Sequence, residues 1–154
     1  MRAVRFIVAV LMAFVAGGCS SGVLYDEWQH VDVRGWEAEE SQVFNCHVED
    51  TTQTYLCCIE IRNTEAYPYS NIYLNIKTIY PDGEIAVDTN LQFVLADPDG
   101  RWRGRKSGKY IDGRYPFCFF RFPECGDYQF VIGHAMRDSS LVGVREIGMW
   151  IGKE

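Results

Sequence analysis

The sequence predicts an all-β chain: a two-sheet antiparallel sandwich of jelly-roll type behind a short N-terminal tether. Three observations carry this. Apolar residues recur at every second position through roughly seven to nine short stretches. Strong turn-formers separate those stretches, among them Pro81-Asp82-Gly83, Asp97-Pro98-Asp99-Gly100 and Pro123-Glu124-Cys125-Gly126. No stretch of the domain keeps a 3.6-residue apolar period over the length of a helix. Apolar residues make up 47% of the 154 and aromatics 14%, enough to fill the space between two sheets. The loops are too long for a tight up-and-down barrel, and no fixed-length repeat stands out.

The chain opens with Arg2 and Arg5, an apolar run over 6–16, then Gly17, Gly18 and Cys19. A positive start, a short apolar run and small residues make a secretory signal. The run falls short of the about 20 apolar residues that span a bilayer. A cysteine directly behind the small residues resembles the bacterial lipobox, with Ala16 where Leu is usual. Residues 1–18 are therefore expected to be removed and Cys19 to be acylated, palmitate among its chains, as the new first residue. One acyl chain holds a protein marginally, whereas several anchor it stably. Residues 19–35 are expected to form the acylated tether. Ser20, Ser21 and Gly22 are flexible by composition, and Leu24, Tyr25 and Trp28 are spaced for a helical turn or an irregular clamp. The β domain is expected over 36–154, beginning at Trp36.

Within that domain, residues 43–48 put Phe44, Cys46 and Val48 on one face and Asn45 and His47 on the other. Residues 55–62 turn Tyr55, Cys57, Ile59 and Ile61 inward and Leu56, Cys58, Glu60 and Arg62 outward, because strand side chains alternate. Residues 63–71 read as a loop, with Pro68 fixing a corner between Tyr67 and Tyr69. Ile72, Leu74, Ile76 and Tyr80 share the inner face of the next strand. After the Pro81-Asp82-Gly83 turn, Ile85 and Val87 lead to Asp88, and Leu91, Phe93 and Leu95 alternate with Gln92 and Val94. Residues 101–113 form a glycine-rich, basic loop around Trp102. An aromatic strand follows over 117–122, then Tyr128, Phe130 and Ile132, a loop or helical turn at 134–138, and a last strand through Ile147, Met149 and Ile151.

The formal net charge is −6, and it becomes more negative when Arg2 and Arg5 leave with the signal. That sign disfavours nucleic acid as a partner. With Cys19 acylated, Cys46, Cys57, Cys58, Cys118 and Cys125 remain, an odd number. Cys57 and Cys58 point to opposite faces, which argues against a bond between them. No C-x-x-C pair or Cys/His cluster gives metal-ligand spacing. Small buried thiols and one disulfide between strands both stay open.

Several segments resemble the GldH family of gliding-motility lipoproteins from Bacteroidetes-type bacteria. They are residues 65–71 (Glu-Ala-Tyr-Pro-Tyr-Ser-Asn), residues 96–100, Trp102 and Gly104, then Phe122-Pro123-Glu124, Gly126, Tyr128 and Phe130. Ala135-Met136-Arg137, Leu141, Gly143 and Gly148 continue the match, and Tyr25-Asp26 and the lipobox agree. Cys125, Trp150 and the Cys57-Cys58 pair depart from the family pattern. The resemblance implies a lipid-anchored envelope protein, on the outer membrane and facing the periplasm. It would support gliding or the linked secretion of adhesins beside other envelope lipoproteins. It implies no enzyme activity and no cofactor.

The chemistry of the residues agrees. His30, His47 and His134 lie far apart, and no G-x-S-x-G occurs. Asp97 and Asp99 suit a turn better than a calcium loop, since the closing Glu is missing. The most unusual surface is the basic loop. It reads as a solvated loop or, as the candidate partner surface, as a docking patch in which Arg101, Arg103 and Arg105, with Lys106 beside them, meet carboxylates and Trp102 is the apolar anchor. Tyr67 and Tyr69 are candidates for the same surface. The alternative is a carbohydrate-binding module in which Trp102 stacks on a sugar ring.

Overall fold

The computed structural model describes residues 22–153, so the signal and Cys19 lie outside the described residues. Eight long strands carry the fold: β1 (Val23–His30), β3 (Gln42–Val48), β4 (Tyr55–Thr64), β5 (Asn71–Ile79), β6 (Ile85–Val94), β8 (Tyr110–Phe120), β9 (Gly126–His134) and β11 (Val144–Gly152). Three short ones join them: β2 (Trp36–Glu37), β7 (Arg105–Ser107) and β10 (Ser140–Leu141). One sheet has the order β1-β11-β4-β8-β7, the other β3-β9-β5-β6. All of these pairings are antiparallel. Counting long strands alone, the first lies beside the eighth and the third beside the sixth. In the opposite sheet the second lies beside the seventh and the fourth beside the fifth. That order is a jelly roll. A third element, the two-stranded ribbon of β2 and β10, adds to the two expected sheets.

The inner faces follow the alternation. Phe44, Cys46 and Val48 of β3, Ile72, Leu74 and Ile76 of β5 and Tyr128, Phe130 and Ile132 of β9 are buried. They belong to one core cluster with Tyr55, Cys57, Ile59 and Ile61 of β4 and with Ile147, Met149 and Ile151 of β11. Aromatic rings meet edge to face, with Phe122 at 4.7 Å from Tyr128 and 4.9 Å from Phe120, the arrangement their quadrupoles favour.

Three expectations change, and one strand runs on through a charged residue. Residues 23–30 are neither a helical turn nor a clamp but strand β1, laid along β11 from Val23↔Gly152 to His30↔Glu146. The backbone groups on that side of β11 need partners, and β1 supplies them. The sheet therefore starts at Val23, not at residue 36. The 101–113 segment is not one loop: Arg105–Ser107 pairs with Tyr110–Asp112 as a hairpin. β6 runs unbroken through Asp88, because Asp88 points outward, where Asn75 donates to it at 2.9 Å. Finally, the outward residues Cys58 and Glu60 are buried.

Those last two residues are covered because β4 is a central strand with a second, polar–aromatic layer outside it. The Arg62 guanidinium lies 5.4 Å from the Trp28 ring and 5.6 Å from Tyr110, and it binds Asp112 at 2.6 Å and also Glu146. Arg114 stacks 4.6 Å from Trp150 and donates to Glu60 Oε1 at 2.7 Å. Gly148 lets Trp28 and Glu60 close over β11, since a Cβ there would meet the Trp28 ring at 2.9 Å.

Glu60 is 5% exposed, and its Oε2 has no partner among the described residues. Burial pushes its carboxyl above the usual range against the pull of Arg114, and nearby Asp26 adds to the rise. A carboxyl with a raised folded value binds its proton more tightly in the native state. Stability then falls as pH rises from the ordinary value through the raised one. Glu60→Gln is expected to remove that slope. Urea unfolding of both chains from pH 4 to 8 checks this; an unchanged slope in the variant refutes it.

Candidate functional site

The site is built at the β4–β5 connection. Thr64 ends β4, and the Tyr67 amide donates back to its carbonyl at 3.1 Å. Pro68 then sends the chain toward β5 with its φ already restricted. Tyr67 is 3% exposed, and its hydroxyl donates to the Asn71 carbonyl at 2.8 Å. It is thus a structural corner with a satisfied hydroxyl. Trp102 packs on it with ring centroids 6.5 Å apart, and Tyr69 meets it edge-on at 5.9 Å. The Leu95 and Ala96 amides both donate to Ser70 O, at 2.8 and 3.0 Å, which ties the β6–β7 segment to the same corner.

On the outer side of this corner lies a groove of about 550 Å³, lined by Tyr69, Tyr73, Ala135, Met136, Arg137 and Asp138. Tyr69 and Tyr73 are 37% and 41% exposed. The Tyr69 hydroxyl donates to Asp138 Oδ2 at 2.6 Å, and that bond raises its pKa. The Ala135 amide donates to Tyr73 O at 2.7 Å, and Met136 Sδ accepts from the Tyr73 amide at 3.3 Å. The residues after β9 are thereby held along the edge of β5 as a wall of the groove. Aromatic rings, a thioether, one cation and one anion give an amphipathic surface, the chemistry enriched at protein contacts. Among the described residues, no three His, Cys, Asp or Glu side chains gather as a metal site.

The expected basic patch looks different in place. Arg103 binds Asp97 at 2.7 Å, Lys106 binds Glu65, and Arg101 faces Asp99 at 4.0 Å. Arg105 alone of the four enters no ion pair among the described residues. Trp102 is half-buried against Tyr67 and bridged to Ala96, so its ring is a packing element. Of the expected surface residues, only Tyr69 lines the groove. Tyr73, Met136, Arg137 and Asp138 join it without a motif that marks them as site residues. The one signal for Tyr73 is an aromatic on the outward phase of β5, between buried Ile72 and Leu74. Asp97 and Asp99 shape a turn, with Gly100 N donating to Asp97 O at 2.9 Å.

The groove is assembled from segments far apart in the chain. Of the segments that carry the sequence resemblance, residues 65–71 and 135–137 line it, Trp102 and Gly143 pack behind it at Tyr67, and Gly126 lies elsewhere, against Pro81. A family model described as GldH lipoprotein matches residues 23–151. The chain belongs to the GldH lipoprotein family. Two curated relatives extend over nearly their whole lengths. One is the "Gliding motility lipoprotein GldH homolog" of Christiangramia forsetii, 27% identical over 154 residues, covering 95% of this chain and 93% of that one. The other is the "Gliding motility lipoprotein GldH" of Flavobacterium johnsoniae, 26% identical over 157 residues, covering 94% and 93%. The family match begins at Val23, which is also the first residue of β1.

Proposed function

We propose that this GldH-family chain is a non-catalytic, lipid-anchored envelope component that supports gliding motility or the linked secretion of adhesins. It works by holding another envelope protein at the Tyr69–Tyr73 groove. The observation that carries the reading is that two family-resembling segments distant in the chain, residues 65–71 and 135–137, meet in that groove on a corner packed against the core. Exposed tyrosines give much contact area for little lost side-chain freedom. Acylated Cys19 supplies the anchor, and the outer membrane, with the domain facing the periplasm, is the location the resemblance supports.

The test uses a Tyr69→Ala/Tyr73→Ala chain expressed at the normal level. Two central contacts of this kind contribute on the order of 1–3 kcal/mol each. Surface movement and adhesin display are therefore expected to drop at least tenfold while the protein stays folded and membrane-bound. Normal movement and display in that strain would refute the groove. A Cys19→Ser chain tests the anchor separately: it is expected in the soluble fraction with its fold intact, and recovery with membranes would refute acylation. The contact of half-buried Trp102 with Tyr67 favours the protein-contact reading over the alternative, a carbohydrate-binding module with Trp102 as its platform.

A further inference from the structure

Five cysteines lie among the described residues, each with a free thiol. Their places in the fold differ sharply. Cys46 is in the opposite sheet from the β4 and β8 thiols, fully buried, its thiol directed at the carbonyl of His47 at 3.9 Å. Cys58 lies on the outer face of β4. Cys125 sits in the turn before β9 and donates to Glu49 O at 3.1 Å. Cys57 and Cys118 alone are opposed on one rung of a ladder, as direct antiparallel partners of β4 and β8. Directly opposed residues have Cα atoms about 4.5–5.5 Å apart, inside the range of about 4.4–6.8 Å that a disulfide spans. Both side chains point to the same side of the sheet, because opposed residues share a face.

The surroundings suit exchange at one of the two. Cys57 is 1% exposed. Cys118 is half-buried and lines an apolar cleft of about 220 Å³ between the sheets, with Leu91, Phe117 and Phe130 in its walls. Of the two, Cys118 is the thiol that solvent and an oxidant can reach, and Cys57 lies behind it to resolve the exchange. The ladder also shifts register between Cys57 and Cys58, leaving Phe117 as an extra residue on β8. A cross-link at this rung would pin that bulge.

We propose that Cys57 and Cys118 form an intrachain disulfide after export, made by exchange with the disulfide of an oxidant protein or small molecule. The Cys118 thiolate attacks one sulfur of the oxidant R–S–S–R. The first RS⁻ leaves and takes up the proton that Cys118 released. Cys57 loses its proton to the second RS⁻ as its sulfur attacks Cys118. One S–S bond forms in the protein and one breaks in the oxidant, and two electrons pass to two RSH. The compartment that receives exported chains is the oxidising side on which such bonds persist.

The experiment takes the full-length protein, extracted from its envelope in detergent without reductant, and alkylates it under denaturing conditions. The intact mass is expected to show two hydrogens missing and Cys57 and Cys118 unalkylated. Trypsin should leave the 115–121 peptide, whose one cysteine is Cys118, joined to the 35–62 peptide. Cys57→Ser and Cys118→Ser should each abolish the link, and Cys58→Ser and Cys125→Ser should keep it. Reduction should lower the melting temperature by on the order of 10 °C. Full alkylation of Cys57 and Cys118 in wild-type protein overturns the proposal, as does a link that survives Cys118→Ser.

Discussion

A Gly143→Ala chain is expected to lose about 3–5 kcal/mol of stability. Gly143 has φ of 89°, a conformation that disfavours any Cβ. Its added methyl would also lie 2.4 Å from Tyr67 N, 2.5 Å from Tyr67 Cα and 2.9 Å from the Ala66 carbonyl carbon. These are backbone atoms with no rotamer to give way. The Gly143 carbonyl meanwhile accepts from the Thr64 amide at 2.8 Å, so the chain cannot retreat without breaking that bond. Gly83 provides the control, since it also has φ of 89° but nothing within 4 Å of its Cβ position. Gly83→Ala is expected to cost only about 1–2 kcal/mol, the backbone term alone. Urea unfolding of the two variants separates strain from clash, and equal losses would refute the close approach at Tyr67. Because Tyr67 orients Tyr69, Gly143→Ala is also expected to impair the groove before the sandwich melts.

Trp36→Ala is expected to cost about 3–5 kcal/mol. Trp36 has no exposed surface, and its indole donates to Glu40 O at 2.9 Å. Its ring meets His134 edge-on at 5.3 Å, and His134 Nε2 donates to the Trp36 carbonyl at 2.9 Å. That burial holds the imidazole below its usual pKa of 6.5. A base with a lowered folded value binds fewer protons in the native state. Its contribution is whole above the unfolded value and is lost as pH falls through the folded one. Trp36→Phe keeps most of the volume and should lose less, about 1–2 kcal/mol, for the missing indole bond. In the Ala variant His134 meets water, and its NMR titration is expected to move up toward the ordinary value. An unmoved titration in a folded Trp36→Ala chain would show that the tryptophan does not shield it.

Much of the sandwich was legible because one-sided burial writes itself into alternation. Phe44-Cys46-Val48, Ile72-Leu74-Ile76 and Ile147-Met149-Ile151 all sit where the period of two puts them. β1 escaped because Leu24, Tyr25 and Trp28 fall on both faces of a strand whose outer side is also occupied. Glu60 and Cys58 escaped for the same reason, since a polar residue gives no sign that an arginine and two tryptophans will cover it. The basic loop misled because composition counts cations but not the carboxylates that meet them: Asp97 pairs with Arg103 across a turn, and Glu65 with Lys106 from the β4–β5 connection.

The candidate site was the least legible part. Tyr69 was visible as an aromatic beside a proline. Its neighbours Met136 and Asp138 lie more than sixty positions away, and nothing local says that they line one groove.

Residue order alone determined the strand character of most segments, the inward face of each and the family. These depend on side-chain chemistry and on a period of two, both local properties. Only the tertiary structure decided that β1 closes the sheet, that Glu60 is buried, that Tyr67 holds a corner and that Cys57 faces Cys118. Each of those depends on which strands become neighbours, and in a jelly roll neighbours come from opposite ends of the chain.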